Sequence, residues 1–181
     1  MRVITGFARG RKLKALDGES VRPTGDRVKE AVFSIIQFEL EGRSFLDLFA
    51  GSGQMGIEAL SRGAASCVFV EKDKDAYSVI KDNLAHTKLE ESAKVLNTDA
   101  LAFIQTTDSV FDIIYIDPPY DTDLIDQALP LAAQKLAAGG IILCEIKYRR
   151  ELPERVGNLK LYRTYKYGKT SLVTYRHDQN D

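Results

Sequence analysis

From Ser44 onward, apolar residues fall in short, near-continuous runs separated by stretches whose apolar positions recur every three or four residues. Runs of the first kind suit strands buried on both faces; the 3.6-residue rhythm suits helices that cover them. The pattern predicts strands over SFLDLF (44–49), SCVFVE (66–71), AKVLN (93–97), FDIIYID (111–117) and GIILCEI (140–146). Between them it predicts four helices. The first starts at Ser52 or Gly53, runs through QMGIEALSRG and stops at Gly63. The second covers about residues 73–86, the third ALAFIQ, and the fourth TDLIDQALPLAAQKLA, where Pro130 would kink or shorten the first turns.

The two ends follow a different rhythm. Over residues 2–16, basic side chains alternate with apolar ones, so RVITG and RKLKAL read as two short strands about the turn FARG, a basic hairpin. Asp26 is placed to cap a helix with apolar positions Val28, Val32, Ile35, Ile36 and Leu40, ended by Gly42. LKLYRTYKYGKTSLVTYR reads as two alternating strands about YGKT. The sum is an α/β fold: a mostly parallel seven-stranded sheet covered on both faces, with an antiparallel C-terminal hairpin and a short basic N-terminal hairpin.

A chain of 181 residues, 44% hydrophobic and 28% charged, supports one core, so a single domain over 1–181 is expected: arm 1–22, core 23–176 and tail 177–181. No apolar run approaches the roughly 20 residues of a membrane span. The first dozen residues interleave apolar residues with arginines and lack the apolar centre of a secretory signal, which favours the cytoplasm. Cys67 and Cys144 fall in expected strands and read as core residues, with neither disulfide nor metal site expected. Net charge refines this picture. It is +4 over residues 1–30, −10 over 31–146 and +7 over 147–176. An acidic middle between basic ends suggests a pocket for a cationic or neutral ligand beside surfaces for a polyanion.

The acidic middle contains DLFAGSGQMGIEAL, where Gly51, Gly53 and Gly56 take the G-x-G-x-x-G spacing of a nucleotide-binding turn. Ligands of open α/β sheets lie beyond the carboxyl ends of the strands. Asp47, Glu71, Asp99 and Asp117 all fall at or just past such ends. Glu71, twenty residues after Gly51, suits the ribose of any adenosine cofactor. Asp47 separates the candidates, because two like charges at ~4 Å and an effective dielectric of ~20 cost about 4 kcal/mol. A pyrophosphate, and with it a nicotinamide dinucleotide, is disfavoured, whereas the α-ammonium of S-adenosylmethionine is attracted. Asp99 suits either the adenine amino group or the N-cap of the ALAFIQ helix.

IDPPY ends the fourth strand. Two prolines remove two N–H donors and leave carbonyl acceptors. With the Asp117 carboxylate and the Tyr120 ring, they suit a planar base bearing an exocyclic amine. Acceptance of both amine N–H groups by Asp117 and the Pro118 carbonyl would favour a pyramidal nitrogen and stabilise positive charge as a methyl group arrives.

Asp47-Leu-Phe-Ala-Gly-Ser-Gly together with Asp117-Pro-Pro-Tyr resembles the amino-directed class I methyltransferases. RVITGFARGRKL, RPTGDRVKEAVFSII, GIEALSRGA and VEKD are similar, more narrowly, to the bacterial RsmD-type 16S rRNA (guanine-N2)-methyltransferases, over Arg2 to about Tyr175. The resemblance implies a three-layer Rossmann-like class I methyltransferase fold. It also implies methyl transfer from S-adenosyl-L-methionine to the N2 amino group of one guanine of 16S rRNA in the small ribosomal subunit, by a cytoplasmic enzyme expected to be a monomer without metal. Asp47, Phe49, Gly51 and Gly53 would border the methionine part of the cofactor, Glu71 its ribose and Asp99 its adenine. Ser52, Lys72 and Ala100 would complete that set, with Thr24 and Arg27 beside the pocket. Asp117, Pro118, Pro119 and Tyr120 would receive the guanine and form the catalytic group. Arg2, Arg9, Arg11, Lys12, Lys14 and Arg22 would neutralise RNA phosphates. Gln54 and Met55 stand where small and leucine residues are more usual. The alternatives are an adenine-N6 DNA methyltransferase, a non-catalytic basic RNA-binding module and a nicotinamide oxidoreductase.

Overall fold

The computed structural model describes residues 1–16 and 25–178. Among these residues, eight strands form one sheet: β1 (Ser44–Asp47), β2 (Ser66–Val70), β3 (Ala93–Leu96), β4 (Phe111–Ile116), β5 (Leu136–Lys147), β6 (Arg155–Val156), β7 (Leu159–Tyr167) and β8 (Thr170–His177). Their spatial order is β3-β2-β1-β4-β5-β8-β7-β6. The first five run parallel, and β8, β7 and β6 continue the sheet antiparallel. Strand order reverses where β1 lies between β2 and β4, the place where an open α/β sheet leaves a crevice.

Alternation along the strands divides the core in two. Phe45, Ile113, Tyr115, Ile141 and Leu143 point to the face covered by α1 (Asp26–Ile35), α2 (Gln54–Ser61) and α3 (Lys74–Thr87). Leu46, Ile114, Ile116, Ile142 and Cys144 point to the face covered by α4 (Ala100–Thr106) and α5 (Leu124–Ala133). This is the three-layer arrangement expected of strands apolar on both sides.

Several elements differ from the pattern-based expectation. The eighth strand, β6, is only two residues long and pairs with Lys160 and Leu159, too short to leave a periodic signal. Gly25, not Asp26, is the N-cap of α1, and no side chain caps this helix. The helix stops at Ile35 rather than Gly42. Ile36 and Leu40 stay buried because Glu39 N–H donates to the Ile36 carbonyl and Arg43 N–H to the Leu40 carbonyl, turning the chain without changing its inward face. At the other end, α5 carries Pro130 through to Ala133, and the apolar residues Leu136 and Ala137 belong to β5. A register shift opposite Phe111 and Ile113 accommodates these extra residues.

The basic N-terminal segment makes one antiparallel bridge, Arg2 with Lys12, in place of two full strands. Alternation nevertheless holds: Val3 and Leu13 are buried while Arg2, Lys12 and Lys14 are exposed. The segment is fastened to α2. Glu58 accepts from the Ile4 and Thr5 N–H groups at 2.9 and 3.0 Å, and Ser61 Oγ accepts from Ala8 N–H and donates to the Thr5 carbonyl. Gly6, at φ +87°, passes so close that a Cβ would lie 1.8 Å from the Ser61 carbonyl oxygen. Within the segment, Val3 N–H donates to the Arg11 carbonyl, Gly10 N–H to the Val3 carbonyl and Leu13 N–H to the Met1 carbonyl, and the side chains of α2 satisfy backbone groups that these bonds leave over.

Candidate active site

A cleft of about 810 Å³ opens along the carboxyl ends of β1, β2, β4 and β5. Its floor is the turn between β1 and α2. Gly53 is the N-cap of α2 in the left-handed region at φ +80°. Gly56 lets the helix settle on β2, since a Cβ there would lie 2.3 Å from the Phe69 ring and 2.6 Å from Cys67 Sγ. That close approach leaves the Gly56 N–H 3.1 Å from Asp47 Oδ2, to which it donates. Asp47 is 1% exposed; burial, aided by the negative charge of Glu71, pushes its carboxyl up to about 7. Glu71 accepts from the Gly51 N–H at 2.8 Å through Oε2 and from the Asp73 N–H at 2.9 Å through Oε1. Asp99 caps α4, its Oδ1 accepting from Leu101 and Ala102 N–H, and it also lines the cleft.

The opposite end of the cleft is lined by Asp117, Pro118, Pro119 and Tyr120. The Tyr120 hydroxyl lies 3.0 Å from Thr170 Oγ1 and 3.4 Å from Glu145 Oε1. Behind it, the buried Tyr115 hydroxyl donates to Glu145 Oε2. Burial, with the charges of Asp117 and Glu145, holds the Tyr115 phenol well above its ordinary range, so it remains a neutral donor. Glu145 had escaped the sequence argument, although it stands near the carboxyl end of the fifth parallel strand just as Asp117 stands at that of the fourth. Asn83 had escaped it too. Its amide accepts from Lys14 N–H and donates to the Lys14 and Ser52 carbonyls, joining the basic segment to the glycine turn. An asparagine on the buried face of an amphipathic helix was the available signal.

Of the cofactor residues expected from sequence, Asp47, Phe49, Gly51, Ser52, Glu71, Lys72, Asp99 and Ala100 line this one cleft. Gly53 lies beneath it as the helix cap, and Arg27 is exposed on α1 away from the lining. Thr24 and Arg22 lie outside the described residues. Among the basic candidates, Arg2, Arg9, Lys12 and Lys14 are exposed and Arg11 is half-buried. Two are engaged: Lys14 pairs with Asp82 at 2.6 Å, and Arg11 donates to the His86 carbonyl at 2.6 Å. Cys67 and Cys144 are buried free thiols, both raised by burial. No helix among the described residues is long and apolar enough to cross a membrane.

The described lining carries seven carboxylates, from Asp47, Glu71, Asp73, Asp75, Asp99, Asp117 and Glu145, against a single cation, Lys72. Such a cleft repels a pyrophosphate and attracts a ligand bearing positive charge.

The family described as Conserved hypothetical protein 95 matches residues 1–176. The chain belongs to this family. Among its relatives, Bacillus subtilis YlbH is 42% identical over 97% of this chain and 98% of its own. The Ribosomal RNA small subunit methyltransferase D of Haemophilus influenzae is 37% identical over 99% of this chain and 94% of its own. The solved structure of Escherichia coli yhhF superposes with a TM-score of 0.88 at 34% identity, covering 98% of each chain. The match to the Conserved hypothetical protein 95 family thus takes in the basic segment, the glycine turn and Asp117-Pro-Pro-Tyr together.

Proposed function

We propose that this protein is an S-adenosylmethionine-dependent methyltransferase acting on the N2 amino group of a guanine in 16S rRNA of the small ribosomal subunit, in the cytoplasm. The observation that carries the proposal is the single acidic cleft, with the glycine turn at one end and Asp117-Pro-Pro-Tyr at the other. The name of the Haemophilus relative supports the substrate class. On this reading the chain works as one unit over 1–181, as a monomer, with 1–22 as RNA-facing arm, 23–176 as core and 177–181 as tail.

The residues fit the cofactor. Asp47 and Glu71 bring negative charge to the turn where an α-ammonium would lie, and Glu71 is also placed for ribose hydroxyls. When bound, S-adenosylmethionine supplies a methyl group on a positively charged sulfur, electrophilic enough for a weak nucleophile. Phe49, Gly51, Ser52, Lys72, Asp99 and Ala100 would hold its remaining parts.

A guanine amine has its lone pair delocalised into the ring. The Asp117 carboxylate and the Pro118 carbonyl would accept its two N–H bonds, localise that lone pair and stabilise the charge developing on nitrogen. Asp117 would then receive the released proton. Tyr120, braced by Thr170 and Glu145, would stack on the base and hold it in line.

The test is methyl mapping. Tritiated S-adenosylmethionine is supplied with 16S rRNA or small subunits from a strain lacking the enzyme. The expected product is one N2-methylguanine. Label on adenine, or none on either substrate, would overturn the assignment.

A further inference from the structure

We propose that a second pocket, beside the Asp117-Pro-Pro-Tyr wall, holds the RNA phosphate flanking the methylated nucleotide, with Arg149 as its cation; the proposal rests on the RNA-directed reading above. The pocket encloses about 340 Å³ and shares Pro118, Pro119, Tyr120 and Glu145 with the acidic cleft. Its remaining wall comes from two facing loops: Asp121 and Thr122 after β4, and Lys147, Tyr148, Arg149 and Arg150 at the end of β5.

The lining of this pocket carries three cations, Lys147, Arg149 and Arg150, against Asp121 and Glu145. Lys147 is balanced by Asp121 at 3.0 Å; Arg150 is balanced by Asp126 at 2.6 Å and donates to the Thr122 carbonyl at 2.9 Å. These bonds tie the two loops together. Arg149 has no carboxylate partner among the described residues; its guanidinium lies 5.4 Å from the centre of the Tyr148 ring. Lys166 Nζ approaches the same ring at 5.8 Å, and Tyr148 remains 39% exposed. A half-exposed aromatic ring approached by two cations suits a phosphate and a neighbouring base.

The backbone supports the assignment independently. Among the described residues, three that are not glycine adopt positive φ: Lys88, Asp121 and Arg149. Lys88 closes α3 as an ordinary C-cap. The other two both line this pocket, at φ +61° and +71°. Strained residues persist where the surroundings hold them, and such positions concentrate at binding sites.

Electrostatics decides where the backbone of a bound RNA can run. A base inserted against Asp117 and Tyr120 brings its own phosphates to the rim, and the acids that predominate among the described lining residues of the cleft repel them. The Arg149 pocket, on the other side of the shared Pro118-Pro119-Tyr120 wall, offers a cation instead. Glu145, shared by both pockets, would keep the phosphate toward Arg149. The +7 charge of residues 147–176 thereby acquires a place in recognition distinct from the N-terminal segment.

The test uses the full chain, binding to deproteinised 16S rRNA over a salt series, and calorimetry with S-adenosylmethionine. Arg149→Gly keeps the left-handed backbone without strain and deletes the charge. It should weaken RNA binding about 3- to 10-fold at low salt and reduce the log–log salt slope by roughly 0.7–0.9. Arg149→Lys should keep the slope, and cofactor affinity should stay within about twofold for both variants, as expected for a distinct site. A slope unaltered by Arg149→Gly, lowered equally by Arg149→Lys, or lost together with cofactor affinity overturns the phosphate site. Methyl transfer by the wild-type chain is scored separately: its absence counts against the reaction, whereas the slope reads only the pocket.

Discussion

The Glu71 carboxylate accepts a hydrogen bond from the Gly51 amide at 2.8 Å, so an acid at the end of β2 holds the glycine turn that follows β1. The same carboxylate also fixes the start of α3 through Asp73 N–H. Glu71 therefore shapes the cofactor floor and would bind cofactor. Removing a charged hydrogen-bond acceptor costs about 1.5–3 kcal/mol, or roughly 10- to 100-fold in affinity. Glu71→Ala is expected to weaken S-adenosylmethionine binding by that factor in calorimetry, and Glu71→Gln by less. Wild-type affinity in Glu71→Ala would remove this residue from the site.

A second expectation concerns Glu58 and Lys29, both wholly buried and 3.9 Å apart. Glu58 also accepts from Arg62 Nε at 2.8 Å and from the Ile4 and Thr5 amides. Burial lowers the Lys29 ammonium, and Glu58 offsets part of that shift. Glu58→Ala leaves this cation uncompensated and should cost about 3–5 kcal/mol in urea unfolding. The double change Glu58→Leu with Lys29→Met should recover much of the loss. Amide exchange at Ile4 and Thr5 should accelerate in the single variant, because their acceptor is gone. Equal destabilisation by single and double variants would argue against a buried charge pair.

Most of this architecture follows from the two periodicities. Phe45, Leu46, Ile113 and Ile114 alternate between the two cores as strands apolar on both faces must, and the four acids from Asp47 to Asp117 fall along one cleft because parallel strands end on one side. What escaped depends on long-range partners. The start of β5 reads as helix in the sequence because Leu136 and Ala137 suit either conformation, and only the pairing of Leu136 with Phe111 of β4 decides between them. The basic segment reads as a free-standing hairpin because the groups that fasten it, Glu58 and Ser61, lie more than fifty residues away. Glu145 hid inside an apolar run, and its role emerges only once Tyr115 and Tyr120 are seen to meet it.

That meeting gives a third prediction. Tyr115 is 1% exposed, so Glu145→Ala strands a buried hydroxyl and should cost about 1–3 kcal/mol of stability. It also removes one of the braces on the Tyr120 ring. Methyl transfer should therefore fall in kcat, with cofactor affinity held within a few-fold. Tyr120→Phe keeps the ring but loses the contacts to Glu145 and Thr170, and should show a smaller kcat loss. If Glu145→Ala changes stability alone, the residue is structural and does not position Tyr120.

The last prediction is a pH dependence set by Asp47. Its carboxyl ionises near 7 in the folded chain, against 3.8 for an unperturbed aspartate. Between those values the folded protein keeps a proton that the unfolded chain has lost, so stability falls as pH rises from about 4 to about 7 and levels above. The full difference is at most about 4 kcal/mol. Asp47→Asn removes the titration, and the difference in unfolding free energy between the wild-type chain and this variant should trace the curve. A bound α-ammonium acts in the opposite sense, because it favours the carboxylate. S-adenosylmethionine affinity should therefore rise with pH up to about 7, by no more than about tenfold per unit. Calorimetry near pH 6 in buffers of different ionisation heat should register proton release on binding. Glu71→Gln, by deleting the negative charge that helps raise Asp47, should move the window to lower pH. Binding without proton release, together with a flat difference between wild type and Asp47→Asn, would show that Asp47 is already ionised in the empty cleft.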